Sequence, residues 1–551
     1  MIREGFSLHI FEGKVHYETF FCSGNDSFFL EKDEVVVAVE GIILNKSKLL
    51  EQHAAKDFPA LFLQLYQQKN SNCIKDLEGE FRGFIYDRKS AKVIVFTNAV
   101  ATQSIYYSQN KEGIFFDSSL VRLNSNLRVK NISTEPNLSA IYQILVCVNT
   151  LEDQTVVQDV HKLLDGEMIS VDMNTGNFLK QFYFSINSDL YFSGSKDKAI
   201  DTAHEIFSDA VFQEYSKDKE LQKNHLSLLS GGLDSRVAAF YAIKNGQKPD
   251  SVLCFSQSGY LDETIARKIA FDYKIPFQFV ALDGGSYLNY IDEVTEISEG
   301  SGHFTGGIHV KYATENLQKK DFGIFHSGQI GDGILGGFNT VPARRKPSHF
   351  KIVNQKEFLP KIETELNRII SNYETEELFL LRNVAYNRTV LGAKVFQQTA
   401  FQASPFMVKD FLTFSLSLPE NWKYNHRFYL EWIAKHLPEA TKYQWERTMM
   451  KPDAAWKTSF GDRVKKKVFI KWNEKILQKP FRSSMYPYQY YFSQSIEIQS
   501  YYHNYFDKNL FRLEGFPELK KDIEFLFAKE DFQSKSLAVN ILAIFKLFFS
   551  K

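Results

Sequence analysis

The sequence points to an α/β protein built in two domains, on three observations. The first ~130 residues are rich in short β-branched and aromatic runs, which read as strands. From Leu226 onward, short apolar runs alternate with helix-length amphipathic segments, as in a parallel sheet with crossover helices. In that second part Ser230-Gly231-Gly232 follows one such run and opens a helix. This order presents backbone N–H groups at a helix N-terminus to an anion.

At 551 residues the chain exceeds one ordinary core and implies two or three domains. It is 44% hydrophobic and 24% charged, the balance of a globular protein. Lys+Arg and Asp+Glu are equal at 66, which gives no bulk attraction to nucleic acid or an anionic membrane; neither is expected as a partner. Cys22, Cys73, Cys147 and Cys254 are scattered, unlike a disulfide framework or zinc cluster, and fit a reducing compartment. Met1 to Gly5 carries no signal peptide, and the apolar window Leu537 to Phe549 is too short to span a bilayer. A cytoplasmic enzyme is the expectation.

Strands are expected at Phe6 to Ile10, Val35 to Val39, Phe81 to Tyr86, Val93 to Thr97 and Gly113 to Phe116, with one helical insert, Lys48 to Gln67. The segments Glu40-Gly41, Asn45, Leu77 to Asp87, Gln103 to Tyr107 and Leu163 to Glu167 together resemble the N-terminal glutaminase domain of the asparagine synthetase family. The resemblance implies an Ntn-hydrolase-like αββα sandwich over residues 1–190. Departures from the family pattern imply that its glutaminase chemistry is lost. Such an enzyme needs a cysteine directly after the initiator methionine, and Ile2 stands there. The family's Asn-Gly-Glu segment has become Glu40-Gly41-Ile42, no Arg-Gly-Pro-Asp segment is found, and its Arg-Asp pair is replaced around Asn98. Exposure of Cys22 by processing would delete the first strand and still leave the amide-binding residues missing.

In the second part, Leu190 to Lys223 is an amphipathic helical lead-in. Strands follow at Ser251 to Ser256, Phe277 to Leu282 and Gly323 to Ser327, with helices at Asp234 to Lys244, Asp262 to Tyr273 and Tyr287 to Ser298. Beyond about residue 350 the pattern is helical: Gln355 to Tyr373, Glu376 to Tyr386, Met407 to Ser417 and Arg427 to His436. Ligands on such sheets bind beyond the carboxyl ends of the strands, where the Ser-Gly-Gly turn lies.

That turn lacks the Gly-Lys-Ser/Thr ending of a Walker A loop. Ser230-Gly231-Gly232-Leu233-Asp234-Ser235 resembles instead the pyrophosphate loop of ATP pyrophosphatases. About 95 residues later, Ser327-Gly328-Gln329-Ile330-Gly331-Asp332 to Gly336-Gly337 resembles the asparagine synthetase segment Ser-Gly-Glu-Gly-Ser-Asp-Glu-x-x-Gly-Gly. The family resemblance implies an adenine nucleotide α-hydrolase-like domain, a Rossmann-like parallel sheet with a helical C-terminal part, over 191–551. It implies ATP and Mg²⁺, with Leu229, Ser230, Gly231, Gly232, Asp234, Ser235, Ser256 and Gly328 around the nucleotide. Magnesium on ATP prefers one or two carboxylates plus phosphate oxygens and water, so Asp234 and Asp332 are the expected metal pair. Trp445 to Pro452 sits where the family has an Arg-x-Lys run touching phosphate or the departing pyrophosphate, so the resemblance makes Arg447 and Lys451 both candidates for the cation needed there.

Ser404 to Leu412 resembles the family's Val-Pro-Phe-Leu-Asp pocket segment, with Val408 at the aspartate position, and Gln329 replaces a glutamate suited to accept a proton. The expected activity is therefore AMP-forming amide ligation of a small-molecule or peptide carboxylate to an amine other than the asparagine-forming pair. Family members that close β-lactam or macrolactam rings make such altered bonds. A homodimer is compatible with this reading. Rival readings are asparagine synthesis from free ammonia, a tRNA-thiolating pyrophosphatase, disfavoured by the scattered cysteines, and a non-catalytic nucleotide-binding relic. The basic cluster Arg463 to Lys467 and the aromatic run Tyr486 to Phe492 read as a solvated helix face beside a packed loop, and His303 as a solvated loop residue.

Overall fold

The computed structural model describes residues 4–21, 25–187, 189–318, 321–339, 341–461, 464, 466–476 and 484–550. Ile2, Cys22, Arg463 and Lys465 lie outside these. Two compact units are present: Met1–Asn187 with the short returns Glu299–Ser301 and Gln355–Ile362, and the remainder from Ser188.

The first unit begins with strands β1 (Gly5–Phe11), β2 (Lys14–Phe20), β3 (Phe28–Glu31) and β4 (Val35–Ile43), then helices α1 (Lys46–Gln52) and α2 (Phe58–Lys69). Strands β5 (Gly79–Asp87), β6 (Lys92–Thr97), β7 (Tyr106–Asn110) and β8 (Gly113–Asp117) follow, then α3 (Leu120–Val129) and α4 (Leu138–Cys147). Strands β9 (His161–Lys162), β10 (Glu167–Asp172) and β11 (Phe178–Phe182) complete it. They form two antiparallel sheets, ordered β2-β1-β8-β7-β9 and β11-β10-β6-β5-β4-β3. Phe6, Leu8 and Phe116 of one sheet pack on Val36, Ala38, Phe84 and Val95 of the other. The alternate residues Val37, Val39 and Phe96 pack instead on Leu61, Phe62 and Leu65 of α2. Burial on both faces makes the first part of β4, Val35 to Val39, a continuous apolar run. With α3 packed against β7 and β8, the layers are αββα.

The expected single helix at Lys48 to Gln67 is two. Ala54 takes a positive φ of 49°, and Asp57 then caps a fresh N-terminus by accepting from Ala60 N–H at 2.9 Å. Helix α4 carries no period in the sequence because Ala140 to Cys147, all of it after the first two residues, is buried all round and leaves no polar face.

In the second unit α5 (Lys196–Glu220) leads to β12 (Asn224–Leu228), α6 (Asp234–Lys244), β13 (Ser251–Ser256), α7 (Leu261–Asp272) and β14 (Phe277–Ala281). Then come α8 (Ile291–Ser298), α9 (Ile308–Glu315), β15 (Phe322–His326) and the two-residue β16 (Gln402–Ala403). The sheet is wholly parallel, in the order β14-β13-β12-β15-β16. The chain runs outward from β12 to β14, then returns to the other side of β12, so β12 and β15 flank the switch point. The expected helix Glu376 to Tyr386 is α-helical only over Glu376–Leu380 and continues as π-helix over Leu381–Thr389. Among the described residues no helix is long and apolar enough to cross a membrane.

His303 is buried rather than solvated: its Nδ1 lies 2.8 Å from the Thr305 hydroxyl, and its ring meets Phe304 edge-on. The aromatic run is packed, with Tyr486 stacked on His309 at 4.7 Å and on Tyr488 at 4.8 Å.

Candidate active site at the sheet switch point

The loop after β12 and the loop after β15 meet. Gly328 lies so close to α6 that a Cβ there would fall 2.2 Å from the Asp234 carbonyl carbon and 2.3 Å from the Ser235 nitrogen. A Cβ on Gly331 would fall 2.8 Å from the Asp234 carboxyl carbon. Glycine at these positions is what lets the second loop lie on the first. Between them Ile330 holds a left-handed φ of 67°, a costly conformation for a β-branched residue and a mark of a segment shaped by something other than local preference.

This approach places Asp332 N–H 2.6 Å from Asp234 Oδ2, to which it donates. Tyr429, on the helix Arg427–His436, donates its hydroxyl to Asp234 Oδ1 at 3.0 Å. Arg447 donates to Asp332 Oδ1 at 3.0 Å and to His426 Nε2 at 2.8 Å. Burial, and then the facing charge of Asp332, push the Asp234 carboxyl well above the usual carboxylate range. The same burial, with Asp234 beside it, pushes the Tyr429 phenol up.

The expected bare N–H cradle is instead satisfied from within. Ser230 N–H donates to Ser235 Oγ at 3.1 Å, Gly231 N–H to Asp262 Oδ1 at 2.8 Å, and Gly232 N–H to Ser230 Oγ at 3.1 Å. Buried donors need partners, and these side chains supply them. The N-terminus of α6 has no side-chain cap, so its first N–H groups lack both intrahelical and capping partners. Leu229 is committed to the sheet, its N–H donating to Leu253 O at 2.9 Å, and Ser256 donates its hydroxyl to Gln257 O at 2.9 Å.

Of the two candidate cations, Arg447 reaches the acidic pair; Lys451 is exposed, and among the described residues no contact ties it to Asp234 or Asp332. Gln329 is wired at both ends: its amide nitrogen donates to Thr389 O at 2.7 Å, and its amide oxygen accepts from Gln402 at 3.2 Å. Val408 precedes the helix Lys409–Ser417.

Several contributors were invisible as site residues. Arg236, fully buried, donates to the carbonyls of Gly231, Ala440, Tyr443 and Gln444 at 2.5–3.1 Å, pinning the strap that leads to Glu446 and Arg447. Glu446 N–H donates to Gly231 O at 3.0 Å, and its carboxylate accepts from Tyr260 at 2.8 Å. Arg236 is marked only by adjacency to the Ser230–Ser235 motif, and Tyr429 only by lying on the expected helix Arg427 to His436; nothing in the sequence marks His426.

Residues 22–184 match the family model described as a glutamine amidotransferase domain, and residues 205–452 match that described as asparagine synthase. "Putative asparagine synthetase (glutamine-hydrolyzing) 2" of Methanocaldococcus jannaschii is 24% identical over 370 residues, 64% of this chain and 69% of the relative. "Asparagine synthetase (glutamine-hydrolyzing) 2" of Bacillus subtilis is 24% identical over 268 residues, 46% of this chain and 35% of that protein. A solved glutamine phosphoribosylpyrophosphate amidotransferase of B. subtilis, complexed with ADP and GMP, shares 11% identity at a TM-score of 0.23, covering 50% of this chain and 59% of its own. With both family models matched in order, and curated relatives that carry the asparagine synthetase name, the chain belongs to the asparagine synthetase family.

Proposed function

We propose that this protein is an ATP-dependent amide ligase that releases AMP and pyrophosphate and joins a carboxylate to an amine without hydrolysing glutamine itself. The observation that carries the reading is the meeting of Asp234 and Asp332 at the switch point, with Arg447 on the same carboxylate. The donor set fits magnesium: hard carboxylate oxygens from two loops, beside the N-terminus of α6. Magnesium, when bound, would offset phosphate charge. Asp234 and Asp332 would hold it, the uncapped N-terminus of α6 with the Ser235 hydroxyl would bind the phosphates, and Arg447 would face the departing pyrophosphate. An oxygen of the acid attacks the α-phosphorus and the bond to the β-phosphate breaks, giving an acyl-adenylate. The amine nitrogen then attacks the acyl carbon, the bond to AMP breaks, and the nitrogen loses a proton. Gln329 cannot take that proton.

Loss of glutaminase chemistry is supported by what occupies the Glu40 region. Arg82 donates to Glu40 at 2.6 Å and 3.2 Å, and to the carbonyls of Ser104 and Ser118 at 2.7 Å and 2.9 Å. A buried ion pair fills that end of the sandwich.

Purified protein with ATP, Mg²⁺ and a panel of carboxylic acids with amines or ammonium should release pyrophosphate only with a matched pair, and glutamine should yield no glutamate. Glutamate release that survives careful purification refutes the second half; the absence of pyrophosphate with every pair supports the relic. The names of the curated relatives favour one competing product, asparagine, and robust asparagine formation from aspartate and ammonium would replace the specialised reading.

A further inference from the structure

Helix α5 packs on β12 and β15 and carries Glu214 and Asp218 one turn apart on the face it turns to the sheet. Both carboxylates are buried, as are His225, near the start of β12, and His326, the last residue of β15. Asp218 Oδ2 lies 2.9 Å from His225 Nδ1 and 2.6 Å from His326 Nε2, and one donor atom from each of the three lies within 4.8 Å of the others. The other Asp218 oxygen accepts Ile324 N–H at 2.9 Å, which fixes the carboxylate plane. On the opposite edge of the His326 ring, Glu214 Oε2 stands 3.7 Å from Nδ1, too far for a hydrogen bond. His326 Nδ1 and Glu214 Oε1 have no hydrogen-bond partner although both are buried. Tyr215 stacks on His326 at 3.7 Å and leaves the ring one orientation.

Two ionised carboxylates are costly to bury unless positive charge pairs with them, from a protonated imidazole or from a metal ion. A divalent cation cancels both. Metal bonds of about 2.1 Å set neighbouring donors about 3.0–3.4 Å apart, so Asp218, His225 and His326 need to open by less than about 1 Å. Two imidazoles and one carboxylate suit zinc better than magnesium or calcium. Glu214 then takes the place that a carboxylate commonly takes behind a metal-bound histidine, accepting from the ring nitrogen that does not face the metal. We propose that Asp218, His225 and His326 form a three-ligand zinc site, with Glu214 as the positioning residue for His326. The site is separate from the nucleotide loops but lies under both of their strands. It would fix the spacing of β12 and β15, and with it the approach of Asp234 to Asp332.

Metal analysis of the full-length protein, grown with zinc and purified without a metal-affinity step, tests this. About one zinc per chain is expected. Asp218→Asn, His225→Gln and His326→Gln should each lose it, and Glu214→Gln should keep it with roughly 10–100-fold weaker affinity by chelator competition. No zinc above buffer in wild-type protein overturns the proposal, and so does zinc undiminished in all three ligand variants, which would place the metal elsewhere. If the variants fail to fold, cobalt-loaded wild-type protein decides. Intense visible bands of low-coordinate cobalt are expected, and the weak spectrum of hydrated cobalt overturns the site.

Discussion

Asp234 and Asp332 are held by different neighbours, and that difference orders the consequences of changing them. Asp234 accepts from Tyr429 and from Asp332 N–H, so Asp234→Ala removes a group that also organises the second loop; Asp332 is the more exposed and meets Arg447 and His426. Both alanine variants should abolish AMP and pyrophosphate formation while the protein stays folded by circular dichroism. Near-wild-type pyrophosphate release from either would remove the pair from catalysis. Arg447→Gln should lower kcat by about 10²–10³-fold, the usual loss of one donor to developing charge. Lys451→Gln, outside the contacts of the pair, should change it by less than about 3-fold. Equal losses in the two would mean that the strap moves when substrate binds. Gln329 has both ends of its amide in use, so Gln329→Glu sets a carboxylate against the Thr389 carbonyl; amide formation with the true substrate should fall, and a rise would mean that a base had been restored.

The loops work because the backbone that carries them can touch. Gly328→Ala puts a methyl group 2.2 Å from backbone of α6 and forces the loop bearing Asp332 away. The variant should fold with its global unfolding transition little changed and lose activity to the level of Asp332→Ala; retention of more than about a tenth of wild-type turnover would show that the close approach is dispensable. Arg236→Lys should act on the strap instead, since one ammonium cannot serve four carbonyls, and a larger loss at Arg447-dependent steps than in nucleotide affinity is the expected signature. These elements were legible to different degrees. The strand Ser251–Ser256, and the helices Asp234–Lys244 and Arg427–His436, were read to the residue because apolar periodicity and flanking turn residues agreed. Strand β16 was missed, as two residues carry no period, and its place in the sheet depends on backbone pairing with Phe325 and His326. The acidic pair was legible from motif spacing, whereas Tyr429 and His426 join the site only through tertiary packing.

Buried titratable groups of both signs shape the pH dependence of stability. Burial pushes Asp117 up to about 6, so this carboxyl favours the folded protein as pH falls. His303 works against it. It was expected to be solvated, because a loop with three flanking glycine and serine residues gives no hint that the helix Phe532–Phe548 will deliver Asn540 to bond Phe304 N–H at 3.0 Å and Gly302 O at 3.4 Å. Closed in this way, His303 is pushed down to about 4 by burial, below the ordinary value near 6.5 that it regains on unfolding. Its neutral form is the one the fold accepts. Stability from this residue is therefore fully present above pH ~6.5 and is lost as pH falls from there toward ~4, where the unfolded chain takes up a proton that the folded chain refuses. Because carboxyls of opposite sign titrate in the same window, the total stability curve does not isolate it. The difference between wild type and His303→Gln does: lost packing contributes a constant offset, and the proton contributes a slope. Denaturant midpoints converted to free energy should show the variant gaining on wild type by about 3 kcal/mol between pH 7 and pH 4. A difference that stays level across that range would mean that His303 accepts its proton inside the folded protein, and that the contact between the His303 loop and the helix Phe532–Phe548 opens more readily than its burial implies.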